Sequence, residues 1–193
     1  MSMSSHMEIE RRFLVDGRSQ KPWRSEAQNI HNIEQYYLQA SNLNLDGEGN
    51  LCLSDVIMTN LSLEEISIFE SEADWIPRIR IKDGVAIFTV KGPRKGASGL
   101  ELEWVVEDAA AASVLQWGPF PSVKKTRYCV TGADGLVWEI DEFEEGLAGL
   151  ILAEVELSSE QQAVELPSWI GIELTGLKNW SNAALADTLM ENL

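Results

Sequence analysis

Glu8-Ile9-Glu10-Arg11-Arg12 near one end of the chain and Glu154-Val155-Glu156 near the other each place two carboxylates two residues apart. In a β-strand that spacing puts both side chains on one face, with Ile9 and Val155 opposite as apolar anchors. Each segment therefore offers a pair of oxygen ligands on a rigid backbone, and hard cations such as Mg²⁺ take such ligands. If the two strands lie close, four carboxylates share one space. Two unit charges about 4 Å apart repel by roughly 4 kcal/mol at an effective dielectric near 20, so something cationic must compensate. Either pair alone also fits the wet face of an ordinary antiparallel strand.

Period two, applied to the other β-like segments, collects more charge. Glu8, Glu10 and Arg12 share a face, as do Arg78, Arg80 and Lys82, then Thr89 and Lys91, Glu101 and Glu103, Lys125 and Arg127, Glu139 and Asp141, and Glu154 and Glu156. The alternate residues are apolar: Ile9 and Phe13, Ile79 and Ile81, Phe88 and Val90, Leu102 and Trp104, Ile140, Val155 and Leu157. Two architectures satisfy this pattern. A two-layer sheet turns the charged face to water and predicts a flat solvated surface. A closed barrel turns it inward, covers the apolar outside with helices, and predicts a polar tunnel that needs an anionic ligand and metal ions.

The elements that position these faces follow from pattern and punctuation. Residues 8–15 read as a first strand, a short helix falls near Ser25, and residues 32–39 are β-like by their aromatic content. Residues 41–74 read as an insertion, a hairpin of its own. Strands follow at 76–82, 85–91 and 100–106, with a turn at Asp83-Gly84. Asp108 is placed to cap a helix over 109–115. Further strands are expected at 125–131, 136–143 and 151–157, a helical turn capped by Ser158 or Ser159, and a final helix at 182–189. Residues 1–6 are set aside as a disordered extension or cloning remnant.

Composition bounds the answer. The chain has 193 residues, 45% of them hydrophobic, with seven Trp. That suits one domain, residues 7–193, and no apolar run approaches the roughly 20 residues that cross a membrane. Cys52 and Cys129 make no disulfide framework, so a reducing cytoplasm is the expected location. A net charge of −16 argues against general nucleic-acid binding, which draws on excess Lys and Arg. No Lys or Arg occurs between Arg24 and Arg78, so the acidic insertion should face solvent and offers a surface for protein contact. His6 and His31 fall outside the motif faces and read as surface or loop residues.

Several motifs now occur in a telling order: Glu-Ile-Glu-Arg-Arg-Phe-Leu-Val, Arg-Ile-Arg before a Gly turn, a strand ending in Val-Lys, Glu-Leu-Glu, Lys-Lys-Thr-Arg-Tyr, Trp-Glu-Ile-Asp-Glu-Phe, Leu-Ala-Glu-Val-Glu-Leu, and Trp-Ile-Gly-Ile-Glu-Leu-Thr followed by Trp-Ser-Asn-Ala-Ala-Leu-Ala. In this order they resemble the CYTH superfamily, the triphosphate tunnel metalloenzymes, from about Met7 to Ala186 apart from the insertion. The small bacterial branch is the most similar.

That resemblance implies an α+β fold, an eight-stranded antiparallel β-barrel or tunnel with flanking helices that binds a triphosphate-bearing small molecule with Mg²⁺ or Mn²⁺. It implies Glu8, Glu10, Asp141, Glu154 and Glu156 as the metal shell. Arg12, Arg78, Arg80, Lys91, Lys125, Arg127 and Lys178 become the phosphate grip, and Glu10, Glu154, Glu156 and Arg12 the catalytic set. The expected activity is metal-dependent hydrolysis of inorganic tripolyphosphate, with no Ser, Cys or His nucleophile. A class IV-type adenylyl cyclase and a non-catalytic polyphosphate- or nucleotide-binding module are the alternatives. The chain departs from the family pattern at Arg12, where Lys is usual, at Gly99, where an Arg often stands, and at Leu177 and Asn179, which flank the retained Lys178.

Overall fold

The computed structural model describes residues 6–18 and 20–191. Along the chain run β1 (Met7–Val15), α1 (Trp23–Glu26), β2 (Asn29–Tyr37), β3 (Leu43–Leu45), β4 (Asn50–Leu53), β5 (Val56–Asn60), α2 (Leu63–Glu70), β6 (Ile76–Lys82), β7 (Val85–Lys91), β8 (Ser98–Val105), α3 (Asp108–Leu115), β9 (Ser122–Thr131), β10 (Val137–Phe143), β11 (Ile151–Glu156), β12 (Ile170–Glu173) and α4 (Asn182–Glu191). Eight strands close a ring in the order β1-β11-β10-β9-β2-β6-β7-β8 and back to β1, all pairs antiparallel. The closing pair sets Glu10 opposite Glu156 and Arg12 opposite Glu154. The charged period-two faces therefore turn inward, and the flat-sheet alternative is excluded.

Closure leaves the apolar outer face to be covered, and two layers do so, while a third apolar cluster fills one end of the interior. The insertion and α3 bury Ile79, Phe88, Val90 and Leu102 beneath Leu51, Leu53, Met58, Ala111 and Val114. Rather than a hairpin, the insertion is a three-stranded sheet, β3-β4-β5, followed by α2. A capping box in which Ser62 and Glu65 satisfy each other's backbone N–H groups starts that helix. A second layer sets Trp169 edge to face between Trp23 of α1 and Trp138, with ring centroids 5.3 Å from Trp23 and 5.8 Å from Trp138.

The third cluster lies inside the ring. Val123 and Phe143 sit on the inward faces of β9 and β10, two residues before Lys125 and two after Asp141. Leu152 precedes Glu154 in the same way. All three are buried with Leu174 and with Ala186 of α4. The final helix thus plugs one end of the tunnel.

Other details differ from the sequence reading. Glu107, not Asp108, is the N-cap of α3 and makes no side-chain cap bond; Asp108 sits in the first turn, where its charge suits the helix dipole. No helix follows Ser158, whose backbone N–H and hydroxyl donate to Gln162 Oε1 at 2.6 and 2.7 Å. The short β12 was not anticipated. It lies so close to β1 that a Cβ on Gly171 would come within 2.4 Å of the Leu14 carbonyl oxygen. Of the segment set aside, residues 1–5 lie outside the described residues, whereas the His6 carbonyl accepts from Glu101 N–H at 2.9 Å.

One outward acid ties α1 to the barrel. Glu142 accepts from Lys21 Nζ and Trp23 Nε1, each at 2.9 Å, and from Arg24 Nε at 2.8 Å. Burial raises its carboxyl, but the Arg24, Lys21 and Trp23 hydrogen bonds outweigh it and hold the group at about 2. A depressed carboxylate stabilises the fold fully above its unfolded value, 4.5, and loses that contribution as pH falls towards 2. Glu142→Gln should therefore cost about 1–2 kcal/mol near neutrality, after solvent screening at this half-wet site. Urea melts at pH 7 and pH 3 should show the gap to wild type narrowing in acid.

Candidate active site

The inward faces meet around a cavity of about 480 Å³, a size suited to a small ligand. Its wall includes Glu8, Glu10 and Arg12 of β1, Arg78, Arg80 and Lys82 of β6, Lys91 of β7, Glu101 and Glu103 of β8, Arg127 of β9, Glu139 of β10, Glu154 and Glu156 of β11, and Asn182 at the start of α4. In a ring of eight, β6 lies four strands from β11, directly across the tunnel. Arg78 and Arg80 therefore face Glu154 and Glu156.

Arg12 joins the two acidic pairs. Its Nε donates to Glu154 Oε1 at 2.6 Å, Nη2 to Glu10 Oε1 at 2.9 Å, and Nη1 to the Trp180 carbonyl ahead of α4 at 3.1 Å. Burial of Glu154 would raise its carboxyl, but Arg12, then Arg127 and Lys125, carry it well below the ordinary range. Glu10 is raised, first by burial and then by Glu154 and Glu8. Glu8 is raised by burial and by Glu101 against the pull of Lys91, and Glu156 by burial and by Glu139, Glu8 and Glu10. Of the three, Glu8 and Glu10 are paired with Lys91, Arg12 and Arg94, and Glu156 is the least compensated.

The opposite wall is short of negative charge. Burial, then Arg78 and Arg127, lowers Arg80, whose nearest acid is Glu103 at 3.7 Å. Arg78 is 3% exposed, reaches Glu101 and Glu103 only at 3.4 Å, and keeps its Nε buried without a partner. Thr89 donates to Glu103 Oε2 at 2.9 Å and accepts from Arg78 at 3.0 Å, fixing that corner.

Asp141 and Lys125 are sealed behind the wall, at 1% and 0% side-chain exposure. Lys125 Nζ donates to Asp141 Oδ2 at 2.5 Å, and Arg127 forks onto Asp141 at 2.6 and 2.7 Å while also pairing with Glu139. Burial pushes Lys125 down to about 8, against the opposing pull of Asp141. Lys178 lies exposed in the 3-10 turn before α4, outside the cavity wall. The structure thus brings together Glu8, Glu10, Arg12, Arg78, Arg80, Lys91, Arg127, Glu154 and Glu156, sets Asp141 and Lys125 one layer back, and leaves Lys178 apart. His6, read as a surface residue, lines the mouth. His31 Nδ1 lies 2.6 Å from Asp83 Oδ2. Arg94, which strand periodicity does not single out, reaches Glu10 and Glu8 from the β7–β8 loop.

Among the described residues no three acidic, His or Cys groups form a ready-made metal cage, because lysines and arginines already hold most of the acids. The donor set nonetheless fits a hard divalent cation. It is all oxygen, from two paired strands, and three of its carboxylates are held above their ordinary range by burial and mutual repulsion.

Comparison with known proteins places this geometry. The CYTH domain profile matches residues 72–183. An inorganic triphosphatase of Acetivibrio thermocellus is 34% identical over 122 residues, which cover 63% of this chain and 78% of that protein. An inorganic triphosphatase of Nitrosomonas europaea is 46% identical over 66 residues, 33% of this chain and 44% of that protein. A crystal structure of an inorganic triphosphatase superposes with a TM-score of 0.55 at 27% identity, covering 93% of this chain and 97% of that one.

Proposed function

We propose, on the premise that this chain belongs to the CYTH domain family, that its tunnel is the active site of a metal-dependent triphosphatase acting on inorganic tripolyphosphate with Mg²⁺ or Mn²⁺. The two-signed wall carries this reading. Arg78 and Arg80, incompletely neutralised, face Glu154 and Glu156 across the ring, with Glu8 and Glu10 beside them. A bare anion would suit only the basic side and a bare cation only the acidic one; a metal-bound triphosphate suits both. The substrate follows that of the triphosphatase relatives.

Glu8, Glu10, Glu154 and Glu156 would hold the ion, with Asp141 behind them; when bound, it supplies Lewis-acid neutralisation of phosphate oxygens. Arg12, Arg78, Arg80, Lys91 and Arg127 grip the phosphate oxygens and set the terminal phosphorus in line with a water. The water oxygen bonds to that phosphorus as the bridging P–O bond breaks, and the bond's electrons leave on pyrophosphate. Glu10 or Glu156 would orient that water and take its proton. Lys125 acts through Asp141, and Lys178 takes no part in the grip. No described helix is long and apolar enough to cross a membrane. A reducing cytoplasm suits the two free cysteines, and the acidic outer side of the insertion suits a basic protein partner.

The test is phosphate release from tripolyphosphate, ATP and thiamine triphosphate with Mg²⁺ and with Mn²⁺, alongside an assay for cyclic AMP. Tripolyphosphate should be turned over fastest. Cyclic AMP as the main product from ATP would replace hydrolysis with cyclisation. Binding of tripolyphosphate without phosphate release would make the tunnel a binding module.

A further inference from the structure

The loop between β7 and β8 carries a cation into the acidic corner of the tunnel. It is a tight hairpin: Gly92 N–H donates to the Leu100 carbonyl at 2.9 Å and Lys95 N–H to the Ser98 carbonyl at 2.8 Å. It is fastened to β1, since the Ala97 carbonyl accepts from Glu10 N–H at 3.1 Å. The same carbonyl accepts from Arg94 Nη2 at 2.9 Å, while Arg94 Nη1 pairs with Glu10 Oε1 and lies 3.4 Å from Glu8 Oε2.

The absence of a side chain at residue 99 leaves room for this path. Gly99 lies on the inward face of β8, opposite Glu8 on β1, and a Cβ there would come within 2.9 Å of Arg94 Cγ. The guanidinium therefore spans the two carboxylates of the first acidic pair, with Lys91 on Glu8 at 3.0 Å and Arg12 on Glu10 at 2.9 Å. At 28% side-chain exposure it has room to move.

We infer that Arg94 is an internal counter-ion that couples the metal to the triphosphate. In the empty tunnel it occupies Glu8 and Glu10 and opposes a bare divalent cation. With a metal-bound triphosphate in the tunnel, Glu8 and Glu10 would hold the metal and the released Arg94 guanidinium would turn to a phosphate oxygen. A positive charge within a few ångströms of both carboxylates disfavours a second cation there and favours an anion, so the two ligands assist one another. This rests on the triphosphate reading of the tunnel, but its first readout does not.

The test is titration of the ligand-free protein with Mn²⁺ alone, followed by electron paramagnetic resonance, and then with tripolyphosphate present. Arg94→Ala should bind Mn²⁺ alone about 10-fold or more tightly than wild type and should raise the KM for tripolyphosphate about 10-fold. Gly99→Ala, which crowds the Arg94 stem, should shift both the same way by less, and Arg94→Lys should restore most of both. Unchanged or weaker Mn²⁺ binding in Arg94→Ala overturns the inference whether or not the wild type hydrolyses tripolyphosphate. Tighter Mn²⁺ binding with an unchanged KM overturns the hand-over to phosphate. A wild type inert towards tripolyphosphate would sink the triphosphatase reading while the Mn²⁺ titration still decided the role of Arg94.

Discussion

Glu154→Gln is expected to lose about 3–5 kcal/mol of stability and 10²–10³-fold in turnover, whereas Glu156→Gln should lose a similar factor in turnover with little change in stability. The difference comes from what each carboxylate touches. Glu154 is 7% exposed and holds Arg12 at 2.6 Å and Arg127 at 3.3 Å, so neutralising it leaves two buried guanidinium groups underpaired. Glu156, at the exposed end of β11, is raised by burial and by its acidic neighbours, so removing its charge relieves repulsion. Steady-state phosphate release and denaturant melts on both variants separate the two effects. Because Glu154 sits below its ordinary value in the fold, its contribution is complete above pH 4.5 and fades in acid. The stability gap should therefore be flat through neutrality and close below that pH. Unchanged turnover in both variants would remove them from the catalytic set.

Asp141→Asn is expected to be the most damaging single change to the fold itself, again about 3–5 kcal/mol, because it removes the anion shared by two buried cations. Lys125 and Arg127 both bond it; Lys125 is fully buried with no other acid within bonding distance among the described residues, while Arg127, on the cavity wall, keeps Glu139 and Glu154. The pH response has a definite sign. The folded-state value of Lys125, about 8, lies below its ordinary 10.5, so between them the unfolded chain binds more protons and wild-type stability rises with pH. Without Asp141, burial and Arg127 act on Lys125 against Glu154 alone, and the rise should begin at lower pH. Urea melts at pH 6.5, 8 and 9.5 would show the variant recovering part of its deficit. A variant as stable as wild type at pH 6.5 would mean that the sealed pair contributes nothing.

Much of the site was legible because two constraints act on the same residues. Glu8, Glu10, Arg78, Arg80, Glu154 and Glu156 alternate with Ile9, Ile79 and Val155, and burying one set on the outside forces the other inward. Depth along the tunnel leaves no mark in that alternation. Lys125 and Asp141 share the face of Arg127 and Glu139, and only the packing of Phe143 and Val123 seals them off. Lys178 follows no strand, so nothing local fixed its direction. Arg94 was hidden for a different reason: its path depends on an absent Cβ at Gly99, five residues on and in a different element. The short β12 was missed because Gly171 interrupts it and Ile172 is 70% exposed, which erases the inside-outside contrast.

The plug formed by α4 also governs traffic. With Ala186, Val123, Phe143, Leu152 and Leu174 filling that end of the barrel, those described residues block entry there and leave the approach to the charged wall at the other end. On the triphosphatase reading a linear triphosphate would enter end-first, and phosphate cleaved at its inner end would leave after the pyrophosphate nearer the opening. The expected order of release is pyrophosphate before phosphate. Added pyrophosphate should therefore hold the site closed to fresh substrate, while added phosphate finds its berth only in an empty tunnel.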